Sequence, residues 1–344
     1  MSRILVVTSG ALFVHGGHIV IAEETAAALR RAGHTAEVLV TPQNRFGRQA
    51  SAYVATWLTD VGETADGHPI DQVISLRFPS YAVRHPRHVC WLNHRMREYY
   101  DLWPRFSRGM GRRGLLKEKA RRRIFHSVDR WLLTRHVTRL FAQSRTIQER
   151  LLRFGNIPST VLHPPAPERP YRCDAYEPFV FAVSRLHPLK RMHLLVEGLA
   201  HAPGLRAVIA GRGEEEDALR ALVARRGLKD RVTLVGAIED RAKLDYLARC
   251  AAVFFAPENE DYGFVTLEAM NSGKAVVTAT DSGGPAEIVE DQKNGLLVAP
   301  DGPSVGAALK RLAENPRLAR ELGAGALLTA RSHTWDQAIS RLLL

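Results

Sequence analysis

The chain is poor in cysteine and has no long apolar run. Its three cysteines, Cys90, Cys173 and Cys250, are widely separated and form no CxxC pair, which excludes a disulfide framework and gives no thiol zinc signature. No apolar stretch approaches the roughly 20 residues that a bilayer-spanning helix needs. The opening residues 1–10 hold one charge, Arg3, and lack the basic start and small-residue cleavage site of a secretory signal. A reducing, cytoplasmic setting is therefore expected. No internal repeat or low-complexity segment occurs, and no GxGxxG is spelled out, which weighs against a dinucleotide dehydrogenase. Acid is in deficit: 36 Asp and Glu stand against 48 Lys and Arg, a net charge of +12. That balance favours an anionic partner, whether nucleic acid, anionic lipid or phosphorylated substrate, and says nothing about fold.

At 344 residues the chain exceeds one typical domain and suits two. Short β-branched runs alternate with amphipathic helical stretches, the pattern of α/β units around parallel sheets. In the first half, strands are predicted at 3–8, 36–40, 71–76, 88–92, 140–142 and 160–163. Helices are predicted at 18–32 and 146–154, with an arginine-rich helix ending near 136. Pro164, Pro165, Pro167, Pro170 and Pro178 then follow closely. Proline fixes φ and removes a donor, so this stretch is the linker candidate, dividing the chain into domains 1–168 and 169–333. The alternation restarts with strands at 179–183, 207–210, 232–235, 252–256, 275–278 and 295–298, and helices at 189–201, 214–226 and 240–249 among them. Two doubly wound domains would face each other across a cleft at the C-terminal edges of their strands, where open α/β sheets bind ligands.

The most specific stretch is Pro257-Glu-Asn-Glu-Asp-Tyr-Gly-Phe-Val-Thr-Leu-Glu-Ala-Met270. It follows a strand and opens a helix near Val265. Gly263 lets backbone approach a ligand, and the amides of Phe264 and Val265 fall at a helix N-terminus, which favours phosphate. Glu260, on the loop, reaches a group attached to that phosphate, and Glu268, on the first turn, accepts from a ribose diol. On spacing alone, solvated surface or a helix cap accounts for the two acids equally well. The run resembles the Glu-x(7)-Glu motif of retaining glycosyltransferases of family 4, which have the GT-B fold. Ser272-Gly273-Lys274-Ala275-Val276-Val277, Gly283-Gly284-Pro285-Ala286-Glu287-Ile288-Val289 and Asn294-Gly295-Leu296-Leu297-Val298 continue the likeness, which covers about 178–300.

The resemblance implies that Glu268 binds donor ribose and Glu260 contacts the transferred sugar. In Val183-Ser184-Arg185-Leu186-His187-Pro188-Leu189-Lys190-Arg191, it implies that Arg185 and Lys190 grip the pyrophosphate, as suits a charge that must be neutralised on departure. Arg191 is read as surface, and Ile238, after the strand at 232–235, joins the donor set. Gly16 and Gly17, in His15-Gly16-Gly17-His18, resemble the family's Gly-Gly near donor phosphates and acceptor, with His15 and His18 as loop or acceptor-side residues. His94, just past a strand end, resembles a histidine that contacts donor sugar. Ser332 or Thr334 is expected to cap a final helix at about 334–344, which in the family packs back on the first domain.

No Asp-x-Asp metal signature occurs, and the reaction expected is metal-independent transfer from a nucleotide sugar to a sugar or lipid-linked acceptor, with no cofactor. Rival readings are a GT-B sugar-nucleotide epimerase and a non-catalytic nucleotide-sugar or lipid-binding protein. Between Arg105 and Arg123 lie nine Lys or Arg and one acid, Glu118. This tract is either a solvated helix face or a platform for anionic membrane at the inner face. It carries no nucleic-acid-binding motif, so no nucleic-acid partner is expected.

Overall fold

A computed structural model describes residues 1–11, 16–43 and 46–344. The chain forms two compact units, one of Met1–Pro164 with Thr334–Leu344 and one of Pro165–His333. Each is a six-stranded parallel sheet with helices. In the first, β1 (Arg3–Gly10), β2 (Thr35–Pro42), β3 (Gln72–Ser75), β4 (His88–Leu92), β5 (Arg139–Ala142) and β6 (Thr160–Val161) lie in the order β2-β1-β3-β4-β5-β6. In the second, β7 (Glu177–Val183), β8 (Arg206–Ala210), β9 (Val232–Gly236), β10 (Cys250–Phe254), β11 (Val276–Ala279) and β12 (Gly295–Val298) lie in the order β12-β11-β10-β7-β8-β9.

Every residue of β3, β4, β10 and β11 is buried. Helices cover both faces of such a sheet, so its inner strands tolerate a polar side chain only where it is satisfied. His88 in β4 is satisfied: its Nδ1 donates to the His136 carbonyl at 3.2 Å and its Nε2 accepts from the Ser75 hydroxyl at 2.7 Å. The strand order reverses between β1 and β3 in the first unit and between β7 and β10 in the second. At each reversal, the loops leaving neighbouring strands turn to opposite sides and open a crevice.

The last helix, Trp335–Leu342, belongs to the first unit. It buries Trp335, whose ring stands edge-on to Trp91 of β4 at 6.2 Å, and Gln72 of β3 donates to the Leu342 carbonyl at 2.6 Å. Thr334 caps it by accepting from Gln337 N, whereas the Ser332 hydroxyl turns back to the Thr329 carbonyl.

Several expectations need correction. The sixth strand is only Thr160–Val161, because the chain turns into the proline stretch. The helix expected over 189–201 is a short turn, Pro188–Lys190, and a separate helix, Met192–Leu199, broken by Arg191 in the left-handed region at φ 49°. The basic tract is not continuous either. A short helix at Trp103–Phe106 precedes Gly109 and Gly111, and the long helix runs Arg112–Arg135. Its buried side carries Phe125, Asp129, Leu132 and Leu133. Asp129 accepts from the hydroxyls of Tyr53, Tyr81 and Tyr100, and burial followed by the Asp129 charge holds all three hydroxyls well above the usual tyrosine range. The helix Gln49–Leu58, which the sequence pattern did not reveal, packs Tyr53 against this cluster.

Candidate active site

The reversal point of the second sheet gathers the predicted side chains. The loop after β7 carries Arg185 and Lys190, and the loop after β10 carries Glu260 and Gly263. Lys190 Nζ donates to Glu260 Oε2 at 2.7 Å, so two residues predicted separately form one ion pair. Backbone fixes the glutamate from the other side. Glu260 N donates to the Ser282 carbonyl, and Gly284 N donates to the Glu260 carbonyl, both at 3.0 Å. Gly283 makes this approach feasible: it sits at φ 68°, and a Cβ there would lie 2.4 Å from the Glu260 carbonyl oxygen. Arg185 is exposed, and its guanidinium has no partner among the described residues.

Gly263 stands at φ 83°, and a Cβ on it would meet the Phe255 ring at 2.5 Å. Only glycine suits that corner. It opens the helix Phe264–Asn271, whose first amides, those of Phe264 and Val265, have no carbonyl four residues back to bond. Glu268 lies one turn further on and is buried, its Oε1 held by Lys243 Nζ at 2.8 Å. Lys243 also reaches Asp240 at 3.2 Å, and Asp240 pairs with Arg169 at 3.4 Å. Burial alone would lower the Lys243 pKa, but the Glu268 and Asp240 charges outweigh it, and the net shift is upward. Ile238 is half-buried and packs, as Phe264 and Val265 do, against the hydrophobic cluster that includes Phe255 and Leu267. Arg191 is not loose surface. It is bidentate to Asp281 at 2.7 and 2.8 Å and donates to the carbonyls of Ala256 and Pro257, tying the two loops together.

Gly16, Gly17 and His94 belong to the first unit. Gly16 is extended and caps the helix Gly17–Arg31 through its carbonyl, which accepts from Ile19 N at 2.9 Å; His15 lies outside the described residues. His94 follows β4 at the C-terminal edge of the sheet, half-buried, with Nδ1 donating to the Arg95 carbonyl at 2.7 Å. Among the described residues, no three His, Cys, Asp or Glu side chains converge to hold a metal ion, and no helix is long and apolar enough to cross a membrane.

Residues 169–327, nearly all of the second unit, match the family model described as glycosyl transferases group 1. The second unit is a glycosyl transferases group 1 domain. In sequence, the chain is 34% identical over 173 residues to a D-inositol 3-phosphate glycosyltransferase of Xylanimonas cellulosilytica, covering 48% of this chain and 41% of the relative. It is 31% identical over 134 residues to the human alpha-1,3/1,6-mannosyltransferase ALG2, covering 39% and 31%. The matches therefore span less than half of these relatives. In structure, the chain is similar to Anabaena HepE solved with UDP and glucose, with a TM-score of 0.71 at 19% identity over 99% of this chain and 98% of that one. Sucrose-phosphate synthase of Thermosynechococcus elongatus gives a TM-score of 0.76 at 17% identity, over 99% and 97%. The fold is GT-B.

Sequence reasoning missed two parts of the glycosyl transferases group 1 domain. One is Lys243, whose pairing with Glu268 joins residues 25 apart on different helices. No local spacing signals it. The other is the brace of Arg191 on Asp281, which spans 90 residues. Its one local sign is the left-handed φ of Arg191, which a sequence does not display.

Proposed function

We propose that the protein is a glycosyltransferase that moves a sugar from a nucleotide sugar to an acceptor hydroxyl, retaining anomeric configuration and needing no divalent metal. The observation that carries this reading is the Lys190–Glu260 pair beside the Gly263-opened helix at the strand-order reversal, one turn from Glu268. A nucleotide sugar has three things to hold. Glu268, oriented by Lys243, offers its other carboxylate oxygen to the ribose diol. Arg185, Lys190 and the first amides of the helix Phe264–Asn271 meet the diphosphate. Glu260 lies next to Lys190, where the sugar joins the phosphate.

As the bond to the sugar breaks, negative charge grows on the diphosphate, and cations and amides already aimed there lower that barrier. The chain supplies no nucleophile in this account. The departing phosphate oxygen takes the acceptor proton on the face it leaves, which retains configuration. Acceptor binding falls to the first unit, while its Gly16 and Gly17 keep the role near donor phosphates and acceptor, and His94 the role at the donor sugar, that the resemblance implies. HepE was solved with UDP, UDP-glucose and glucose, which supports a nucleotide-sugar donor. The Xylanimonas relative is named for D-inositol 3-phosphate, which supports a phosphorylated acceptor for a chain of +12 charge. A cytoplasmic location with peripheral contact to anionic membrane completes the reading.

The test is thermal-shift screening against a panel of nucleotide sugars, followed by turnover on sugar, polyol-phosphate and lipid-linked acceptors, with the product anomer read by NMR. An α-linked donor giving an α-linked product is expected. An inverted product removes the retaining mechanism, and a sugar released with no acceptor and with inverted configuration at a ring carbon other than the anomeric one makes the protein an epimerase.

A further inference from the structure

The first unit carries a second cation-lined feature. The helices Arg112–Arg135 and Arg145–Gly155 flank an open groove of about 600 Å³ lined by Lys119, Arg122, Arg123, Arg130 and Arg153, with His126 and Phe154. The second of these helices starts at the C-terminal end of β5 and runs back along the sheet, so Arg153 stands away from the strand ends that form the crevice of this unit. The groove shares no lining residue with those assigned to donor and acceptor, but it borders them: His126 stacks on Tyr100 at 4.3 Å, and Tyr100 lines a small neighbouring cavity with Arg95 and His94.

Its charge is uncompensated. Among the described residues, no carboxylate pairs with Lys119, Arg122, Arg123, Arg130 or Arg153. The helix Arg112–Arg135 carries two acids: Glu118 is taken by Arg121 at 3.0 Å and by the Tyr99 hydroxyl, and Asp129 is buried on the other side, accepting from Tyr53, Tyr81 and Tyr100. Arg122 is anchored by donating Nε to the Tyr99 carbonyl at 2.7 Å and lies over the Trp103 ring, which leaves its terminal nitrogens for another acceptor. Burial lowers the pKa of Arg122, a sign that its charge is short of solvation. Like charges held around one concavity repel, and an anion seated among them removes that penalty. Guanidinium forks match phosphate oxygens two at a time, and a phosphate ester with about two negative charges fits four arginines and a lysine better than a single carboxylate does.

We propose that this groove binds a phosphate ester carrying at least two negative charges, either free in solution or borne on a lipid headgroup. The test uses the full chain with Arg185→Ala and Lys190→Ala, so that both side-chain cations assigned to the diphosphate in the second unit are gone and do not mask the groove. Inorganic pyrophosphate is titrated calorimetrically into this protein and into the same protein with Arg123→Glu and Arg130→Glu. Both arginines are exposed and anchor nothing, so the fold is expected to persist, checked by circular dichroism. Saturable binding that weakens at least tenfold on charge reversal shows a site for a free ester. If pyrophosphate does not saturate, vesicles of phosphatidylcholine with phosphatidic acid provide the other arm. Stronger flotation with these than with phosphatidylglycerol vesicles of matched surface charge, the difference lost in the reversed protein, assigns a lipid-borne phosphate. No binding to either probe, or equal binding by both proteins, overturns the proposal. Because neither arm depends on the donor, failure of the glycosyltransferase reading would leave this result standing.

Discussion

Glu268 and Lys243 show how much one contact adds to a residue found by motif. The glutamate stood out because its partner acid, Glu260, lies within the same loop–helix unit, and local spacing is visible in a sequence. The lysine did not, because tertiary packing brings it in from the helix Asp240–Arg249. The pair makes the test of Glu268 more specific. Glu268→Gln keeps the volume, removes the charge that a ribose diol would bond, and leaves Lys243 with the more exposed Asp240 alone. Hydrogen bonds to charged groups contribute roughly 1.5–3 kcal/mol, so donor Kd should rise about tenfold to a hundredfold, measured by calorimetry. Melting should fall by a few degrees, since a part-buried ammonium loses its nearer partner. A shifted melting point with unchanged donor Kd would make Glu268 a structural ion pair only.

Elements were legible where a local period marked them and obscure where a single dihedral or a distant partner decided. The helix expected over 18–32 is Gly17–Arg31, whereas Arg191 at φ 49° splits the one expected over 189–201. In β4, a histidine inside a buried strand has a consequence for pH. Burial, the largest cause, lowers the His88 pKa from 6.5 to about 4, so the folded chain keeps it neutral while the unfolded chain protonates it. The unfolded state then binds the extra proton between those values, so stability is full above about pH 6.5 and is lost progressively as pH falls toward 4, on the order of 3 kcal/mol in all. Urea unfolding followed between pH 7.5 and 4.5 should show this slope. His88→Gln should be less stable at pH 7.5 yet flatter with pH; an unchanged slope would assign the acid sensitivity to other groups. The helix Arg112–Arg135 gives a second expectation at this scale. It exposes Leu116 at 71% in the same turns as Arg112, Arg113 and Lys117, with Ile124 at 62% exposed further along, a mixed surface suited to an anionic bilayer. Reversing Arg112, Arg113 and Lys117 to Glu should abolish flotation with phosphatidylglycerol vesicles at low salt. Arg121 and Arg122 are poor choices for reversal, because they hold Glu118 and the Tyr99 carbonyl. Equal flotation of both proteins would leave the tract a solvated face.

At the scale of the whole molecule, the two-sheet architecture was readable from the alternation of strands and helices, because buried parallel strands write themselves as apolar runs. Strand order was not, since crossovers leave no periodic mark. Yet that order concentrates charge at one place. Reversal between β7 and β10 puts the loops of Lys190 and Glu260 side by side, and the glycine corner at Gly263 brings a helix N-terminus to the same edge. A diphosphate leaving from there gains charge that must be met by something fixed in advance. The proposal assigns that task to Arg185, Lys190 and the first amides of the helix, and these are permanent features of the chain. Turnover should therefore survive a strong chelator with little loss of kcat. Lys190→Ala should lower kcat far more than EDTA does, by about a hundredfold or more if the cation acts mainly as charge develops. The two measurements separate the possibilities. Activity lost in EDTA and restored by Mg²⁺ or Mn²⁺ would transfer the task to a metal. A Lys190→Ala enzyme with raised donor KM and normal kcat would leave Lys190 holding the ground-state diphosphate equally tightly throughout, with Arg185 and the helix amides carrying the departure.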